Sequence, residues 1–219
     1  GPPLGNVRNF IGIGLNYADH AAETGAQIPK EPFVFNKAPS CIVGPNDDVI
    51  IPKNATKTDW ECELAFVIGR GGIYIDEADA LGHVAGYMIC NDVSERGFQY
   101  DRGGQFVKGK SSPGFGPLGP WLVTRDEIKD PQNLDLTLDI NGKRAQTGNT
   151  KTMIFSVARL IAHLSEFMRL EPGDVVTTGT PPGVGAGRKP PSFLKGGETL
   201  RLTVTGLGEQ NQRVVRYDG

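Results

Sequence analysis

Three acidic residues in two short apolar segments have the chemistry of a cation site. Along Asp59-Trp60-Glu61-Cys62-Glu63-Leu64-Ala65-Phe66-Val67-Ile68 the residues alternate. An extended strand therefore puts Glu61 and Glu63 on one face and Trp60, Cys62, Leu64, Phe66 and Ile68 on the other. The two glutamate Cα atoms would stand roughly 6.5 to 7 Å apart. A solvent-facing edge explains such a pair more simply, because charged residues are mostly exposed. Ala65 and Val67 continue the glutamate face, however, and point to an inward face whose polar end requires a counter-charge. A second apolar run, Val84 to Cys90, ends in Asn91-Asp92 and delivers another carboxylate at a strand end. Three carboxylates converging without a basic partner repel one another, and a bound cation relieves that. All-oxygen ligands favour Mg²⁺, then Mn²⁺ or Ca²⁺, over zinc.

A candidate base lies upstream. In Asn16-Tyr17-Ala18-Asp19-His20-Ala21-Ala22-Glu23-Thr24-Gly25, His20 and Glu23 are spaced to share one side of a short helix stopped at Gly25. A carboxylate beside an imidazole fixes its tautomer and strengthens it as a base, which suits activation of a water. The same spacing also fits a surface ion pair. His83 precedes an apolar strand and His163 falls on the polar side of a long helix, so both read as structural or solvent-facing. Gly12-Ile13-Gly14 follows an apolar run as a dinucleotide fingerprint would, but Tyr17 stands where the third glycine belongs and no βαβ alternation follows. The loop Thr178-Gly179-Thr180-Pro181-Pro182-Gly183-Val184-Gly185-Ala186-Gly187 lacks the Gly-Lys-Ser/Thr ending of a phosphate loop. It can offer backbone N–H groups and the Thr180 hydroxyl to a carboxylate, or be a plain turn.

The elements that must position these residues are mostly strands. Thirty Gly and sixteen Pro punctuate short apolar runs over 219 residues, which predicts a β-rich chain folded as a single domain over residues 1–219. Strands are expected over Asn9–Gly14, Phe33–Asn36, Asp48–Ile51, Glu61–Ile68, Val84–Asn91, Trp121–Thr124, Leu134–Ile140, Asp174–Thr178 and Thr199–Thr205. Asn141-Gly142 and Leu207-Gly208 mark hairpin turns. One longer amphipathic helix is expected over Ser156–Arg169 with Ser156 as its cap, and shorter ones over Tyr17–Thr24, Glu77–Leu81 and Asp92–Tyr100. A net charge of -2 without any block of like charge argues against a nucleic-acid partner. No apolar run approaches membrane-spanning length, and three cysteines without CxxC spacing fit a reducing, cytoplasmic setting. The chain begins Gly1-Pro2-Pro3 without a methionine, so a natural N-terminal segment is expected to be missing.

Six motifs in order resemble the fumarylacetoacetate hydrolase family across essentially the whole chain. They are Gly14-Leu15-Asn16-Tyr17 with His20 and Glu23, Phe35-Asn36-Lys37, the Asp59 to Leu64 segment, Asn91-Asp92 with Arg96 and Gln99, Lys110, and Thr178 to Val184. The resemblance implies an α+β, β-rich fold: a mixed β-roll or flattened barrel with a few short helices, assembled as a homodimer. It implies Mg²⁺-dependent hydrolysis of a carbon–carbon bond in a 2,4-diketo acid, yielding pyruvate and a carboxylic acid. Carried over residue by residue, Glu61, Glu63 and Asp92 become metal ligands, and His20 with Glu23 a catalytic dyad assisted by Lys110. Tyr17, Arg96, Gln99 and Thr180 become substrate contacts, Thr180 at the pyruvate carboxylate and Arg96 at the distal end. The wording of Asn16 to Gly25 and of Ile42 to Asp48 is similar to a branch that includes 2,4-diketo-3-deoxy-L-rhamnonate hydrolases and chains called ureidoglycolate lyases. Oxaloacetate decarboxylation, or a hydratase, isomerase or lyase reaction, is the alternative chemistry. A non-catalytic metal-binding protein would lack a ligand or a dyad member, and none is missing.

Overall fold

A computed structural model describes residues 1–218. In chain order the strands are β1 (Phe10–Gly14), β2 (Phe33–Lys37), β3 (Ile42–Val43), β4 (Val49–Ile51), β5 (Thr58–Asp59), β6 (Cys62–Ile68) and β7 (Val84–Asn91). They continue as β8 (Ser94–Glu95), β9 (Gly116–Thr124), β10 (Asp135–Ile140), β11 (Lys143–Asn149), β12 (Val175–Thr177), β13 (Thr199–Val204) and β14 (Gly208–Arg216). The helices are α1 (Ala18–Thr24), α2 (Arg96–Tyr100), α3 (Phe106–Lys110) and α4 (Val157–Phe167).

The fold is α+β, as expected. Seven strands in the order β2-β1-β12-β6-β7-β9-β3 form a curled mixed sheet, and five in the order β11-β10-β13-β14-β4 form a second one. The second sheet packs through β10, β13 and β14 onto β6, β7 and β9 and covers the Cys62 face of β6. All seven residues of β6 are buried, and Glu61 and Glu63, on the other face, are only 6% and 1% exposed. The reading of these glutamates as a solvent-facing pair is thereby overturned. Cys62, on the opposite face, brings its Sγ to 4.0 Å from the Thr203 carbonyl of β13.

Helix α4 is capped as its sequence predicts, with the Ser156 hydroxyl accepting from the Arg159 N–H at 3.1 Å. Its buried face is wider than expected. His163 is 4% exposed and lies edge-on to Phe167, which corrects its placement on a polar side. His83 is structural: Nδ1 donates to the Arg70 carbonyl at 2.7 Å and Nε2 accepts from the Arg70 guanidinium at 2.9 Å. Among the described residues, no helix is long and apolar enough to cross a membrane.

Other departures have local causes. The helix expected over Glu77–Leu81 is a single 3-10 turn at Ala80–His83. The one expected over Asp92–Tyr100 is helical only from Arg96, because Ser94 and Glu95 first pair with β5. Strand β9 starts five residues before the expected Trp121, its first half disguised by Pro117 and Pro120. Strand β11 is a polar edge strand with only Gln146 buried, and α3 is too short to show a helical period.

Candidate functional site

The antiparallel register of β6 and β7 assembles the acidic cluster. Cys62 pairs with Asn91, and the ladder continues as the Asp92 N–H donates to the Glu61 carbonyl at 2.9 Å. Asp92 thus lands beside Glu61, with Glu63 one pleat further along the same face. One oxygen from each carboxylate lies within 4.8 Å of the others, and all three residues are buried. Glu63 is anchored through Oε2 alone, which accepts from the Thr177 hydroxyl of β12 and from the Gly179 N–H at 2.8 Å. No donor among the described residues reaches its Oε1. Burial, and then the charges of Asp92 and Glu61, push the Glu63 carboxyl well above the usual carboxylate range. An all-oxygen triad with a ligand atom free of protein donors fits a hard divalent cation.

Basic partners are present, contrary to the sequence expectation. The Lys110 ammonium, at the end of α3, donates to Glu61 Oε2 and to Asp92 Oδ2, each at 2.6 Å. Lys37, at the end of β2 and 1% exposed, donates to Asp92 Oδ1 at 2.5 Å and to the Lys110 carbonyl at 2.6 Å. Arg96 opens α2 and reaches Glu61 Oε1 at 2.6 Å, Asp59 Oδ2 at 2.9 Å and Gln99 Oε1 at 3.1 Å. Burial opposes ionisation of Glu61, yet Lys110 and Arg96 outweigh it and hold that carboxyl far below its ordinary value. Burial likewise works against the charged forms of Lys110 and Arg96, and the carboxylates around them overcome it and raise both. Lys110 stays an ammonium bridging two of the three acidic ligands.

Helix α1 supplies the second group. His20 Nδ1 is 3.0 Å from Glu23 Oε2. An ionised carboxylate only accepts, so the imidazole proton belongs on Nδ1 and Nε2 keeps its lone pair. Glu23 is itself held, because the Gly183 N–H donates to Oε1 at 3.0 Å and to Oε2 at 3.3 Å. The 178–187 loop therefore spends a backbone donor on orienting the dyad. The start of α1 is tied to the same loop by Asn16, whose Nδ2 donates to the Thr178 and Phe155 carbonyls.

Several of these groups line one cavity of about 430 Å³, a size suited to a small molecule, whereas Asp92 and Glu23 are not part of its wall. His20, Glu61, Glu63, Arg96, Gln99, Lys110 and Thr180 all reach its wall. Tyr17 does not line it: the ring is fully buried and the phenol oxygen has no hydrogen-bond partner. Thr180 lines it, but its hydroxyl already donates to the Cys62 carbonyl at 3.0 Å and accepts from Gln146 at 2.8 Å. The hydroxyl is thus committed to the protein and not free for a carboxylate. Arg96 lines the cavity as well, with one N–H from each nitrogen given to Asp59, Glu61 or Gln99, and it does so from a helix that Asp92 does not share.

Sequence reasoning missed three members of the arrangement. Lys37 was noted only inside a motif. Asp59 was read only as the start of the glutamate strand, although its Oδ1 accepts from Gly185 N–H at 2.6 Å while its Oδ2 takes Arg96. Gln146 bridges β11 to the Cys62 N–H at 2.9 Å and to Thr180. Buried polar residues in otherwise apolar or edge segments were the available signal for all three.

A curled mixed sheet carrying a buried acidic triad at the floor of a small cavity is the arrangement of a small-molecule enzyme. The Fumarylacetoacetate (FAA) hydrolase C-terminal family model matches residues 9–215, and the chain belongs to that family. A Burkholderia cenocepacia relative is 63% identical over 214 residues, covering 97% of this chain and 76% of the relative. The fumarylacetoacetate hydrolase of Exiguobacterium antarcticum superposes with a TM-score of 0.89 at 40% identity, covering 96% of this chain and 76% of that one. A 5-carboxymethyl-2-hydroxymuconate delta-isomerase of Mycobacterium smegmatis gives 0.86 at 38% identity, over 97% and 80%. Hydrolysis or isomerisation chemistry on small keto acids, general to the family, goes with this membership.

Proposed function

We propose that the chain hydrolyses a carbon–carbon bond in a 2,4-diketo acid, an acylpyruvate or a diketo-deoxy sugar acid, releasing pyruvate and a carboxylic acid. The observation that carries this reading is the Glu23-oriented His20 lining the same cavity as Glu61 and Glu63 of the acidic triad. Glu61, Glu63 and Asp92 would hold Mg²⁺, which supplies Lewis-acid polarisation of the 2-keto acid oxygens and charge stabilisation for the enolate that leaves. His20 Nε2 takes a proton from water, and Glu23 stabilises the imidazolium that results. The water oxygen adds to the C4 carbonyl carbon. Lys110, itself 3% exposed, provides the positive charge for the oxyanion formed there. Collapse of that adduct breaks the C3–C4 bond, leaves the acid on C4 and passes the electron pair to C3. The enolate then takes up a proton, which the imidazolium can return.

A dyad that activates water separates this reaction from decarboxylation, which needs none. The test is pyruvate release from acylpyruvates and from oxaloacetate in the presence of Mg²⁺. Diketo acid cleavage that falls at least ~100-fold in His20→Ala, with Mg²⁺ binding retained, is the expected result. Unchanged cleavage in that variant, or turnover of oxaloacetate alone, would overturn the proposal.

A further inference from the structure

The two ends of the cavity differ in chemistry. Its floor is ionic, whereas the way out runs along aromatic rings. Lys110 Nζ lies 5.0 Å from the centroid of Phe35. Phe106 is 5.5 Å from Phe35, 4.9 Å from Phe33 and, edge-on, 5.6 Å from Tyr100. Ring surface is thus continuous from the ammonium to the rim, where Phe33 and Tyr100 are 46% and 56% exposed. Ala26, Pro29, Val184 and Ala186 add aliphatic carbon to the lining.

Strand β1 is shaped to this wall. Gly12 pairs across the ladder with Phe35, and Gly14 with Phe33. A Cβ at Gly12 would stand 2.3 Å from the Phe35 ring, and one at Gly14 would stand 2.8 Å from Phe33. Both rings lie over the neighbouring strand where only glycine leaves room. The Gly12-Ile13-Gly14 pattern, which no nucleotide site absorbs, has here a steric purpose.

The side-chain groups here that could pair with substrate hydroxyls are few, chiefly the Tyr100 phenol at the rim and the Gln99 amide nitrogen. The Arg96 guanidinium already gives an N–H from each nitrogen to Asp59, Glu61 or Gln99, and the Thr180 hydroxyl is taken by Cys62 and Gln146. The Thr24 hydroxyl turns back to the His20 carbonyl at 3.0 Å. A chain with several hydroxyls laid on the rings would lose more water contacts than the phenol and the amide replace, whereas a flat apolar group would gain ring contact.

We propose that Phe33, Phe35, Phe106 and Tyr100 form a specificity wall that selects diketo acids with a flat apolar acyl group, aryl or alkenyl, over acetyl and over polyhydroxylated chains. This rests on the hydrolase reading only in placing the pyruvate end at the carboxylate floor. Binding of benzoylpyruvate, acetylpyruvate and a 2,4-diketo-3-deoxy aldonate is measured calorimetrically with Mg²⁺ on His20→Ala, which keeps the ligands intact. Benzoylpyruvate is expected to bind at least ~10-fold more tightly than either of the others. Phe106→Ala and Phe33→Ala, each added to that background and each checked for folding by Mg²⁺ titration, should each shrink the preference ~3-fold or more. Equal or tighter binding of the aldonate, or a preference untouched by both substitutions, would overturn the wall. A wild-type protein that shows the aryl preference but releases no pyruvate keeps the wall and sinks the hydrolase reading instead.

Discussion

Glu63 and Lys110 carry opposite halves of the site's electrostatics. Glu63 keeps an oxygen without a protein donor, and burial and then its neighbours' charge work against its carboxylate, so a cation there would relieve both. Glu63→Gln removes that charge at nearly constant shape. Calorimetric titration should show Mg²⁺ affinity falling at least ~10-fold, and binding as tight as wild type would remove the triad from consideration. Lys110 does the reverse. Its ammonium sits on two of the three would-be ligands, so a cation entering the triad competes with it. Lys110→Met should therefore tighten Mg²⁺ binding while turnover falls. The metal-free variant should also be less stable by about 3 to 5 kcal/mol, the usual cost of leaving a buried charge unpaired, with much of that recovered on adding Mg²⁺. Weaker Mg²⁺ binding in Lys110→Met would mean that the ammonium assists the cation and does not rival it.

Among the elements, the 178–187 loop has the most to do. It holds Glu63 through Gly179, Glu23 through Gly183 and Asp59 through Gly185. Gly183 has a φ of +105°, and a Cβ there would come within 2.1 Å of the Ala145 carbonyl oxygen. Gly183→Ala should cost roughly 1 to 2 kcal/mol from the backbone conformation alone, plus whatever the collision adds. If the loop positions the dyad, kcat should drop about 10-fold while Mg²⁺ affinity stays near wild type; a stability loss with kcat intact would reduce the loop to scaffolding.

How much of this was legible in the sequence depended on how local the signal was. Strand β6 was readable because its alternation is continuous, and α1 because His20, Glu23 and Gly25 lie within one helical turn or two. The cations around the triad were not, since Lys37, Arg96 and Lys110 come from three elements that meet only in the folded chain. Arg96 and Lys110 entered only through the motif resemblance, and the structure turns both onto the acidic triad itself. Burial of the Cys62 face of β6 comes from the second sheet and that of the glutamate face from α2, α3 and the 178–187 loop, none of which a single strand announces.

At the scale of the molecule, the triad ties together the central strands of the larger sheet, since Glu63 is joined to β12, Asp92 follows β7, and Lys110 and Lys37 bring in α3 and β2. Anything that binds there binds the folded state only. Mg²⁺ at a hundredfold excess over its Kd should then add about 2.7 kcal/mol to the unfolding free energy. Scanning calorimetry with Mg²⁺ and with a chelator measures this directly, and identical transitions at saturating Mg²⁺ would speak against a site in this cluster.

The glycines behind the aromatic wall give the pocket an adjustment that need not involve any residue at its surface. Gly12 does not line the cavity, but a methyl group placed there would push the Phe35 ring forward and narrow the passage above Lys110. Within this scaffold, acyl-chain preference can drift through the back of a strand. Two chains with identical lining residues could then differ in the substrates they accept.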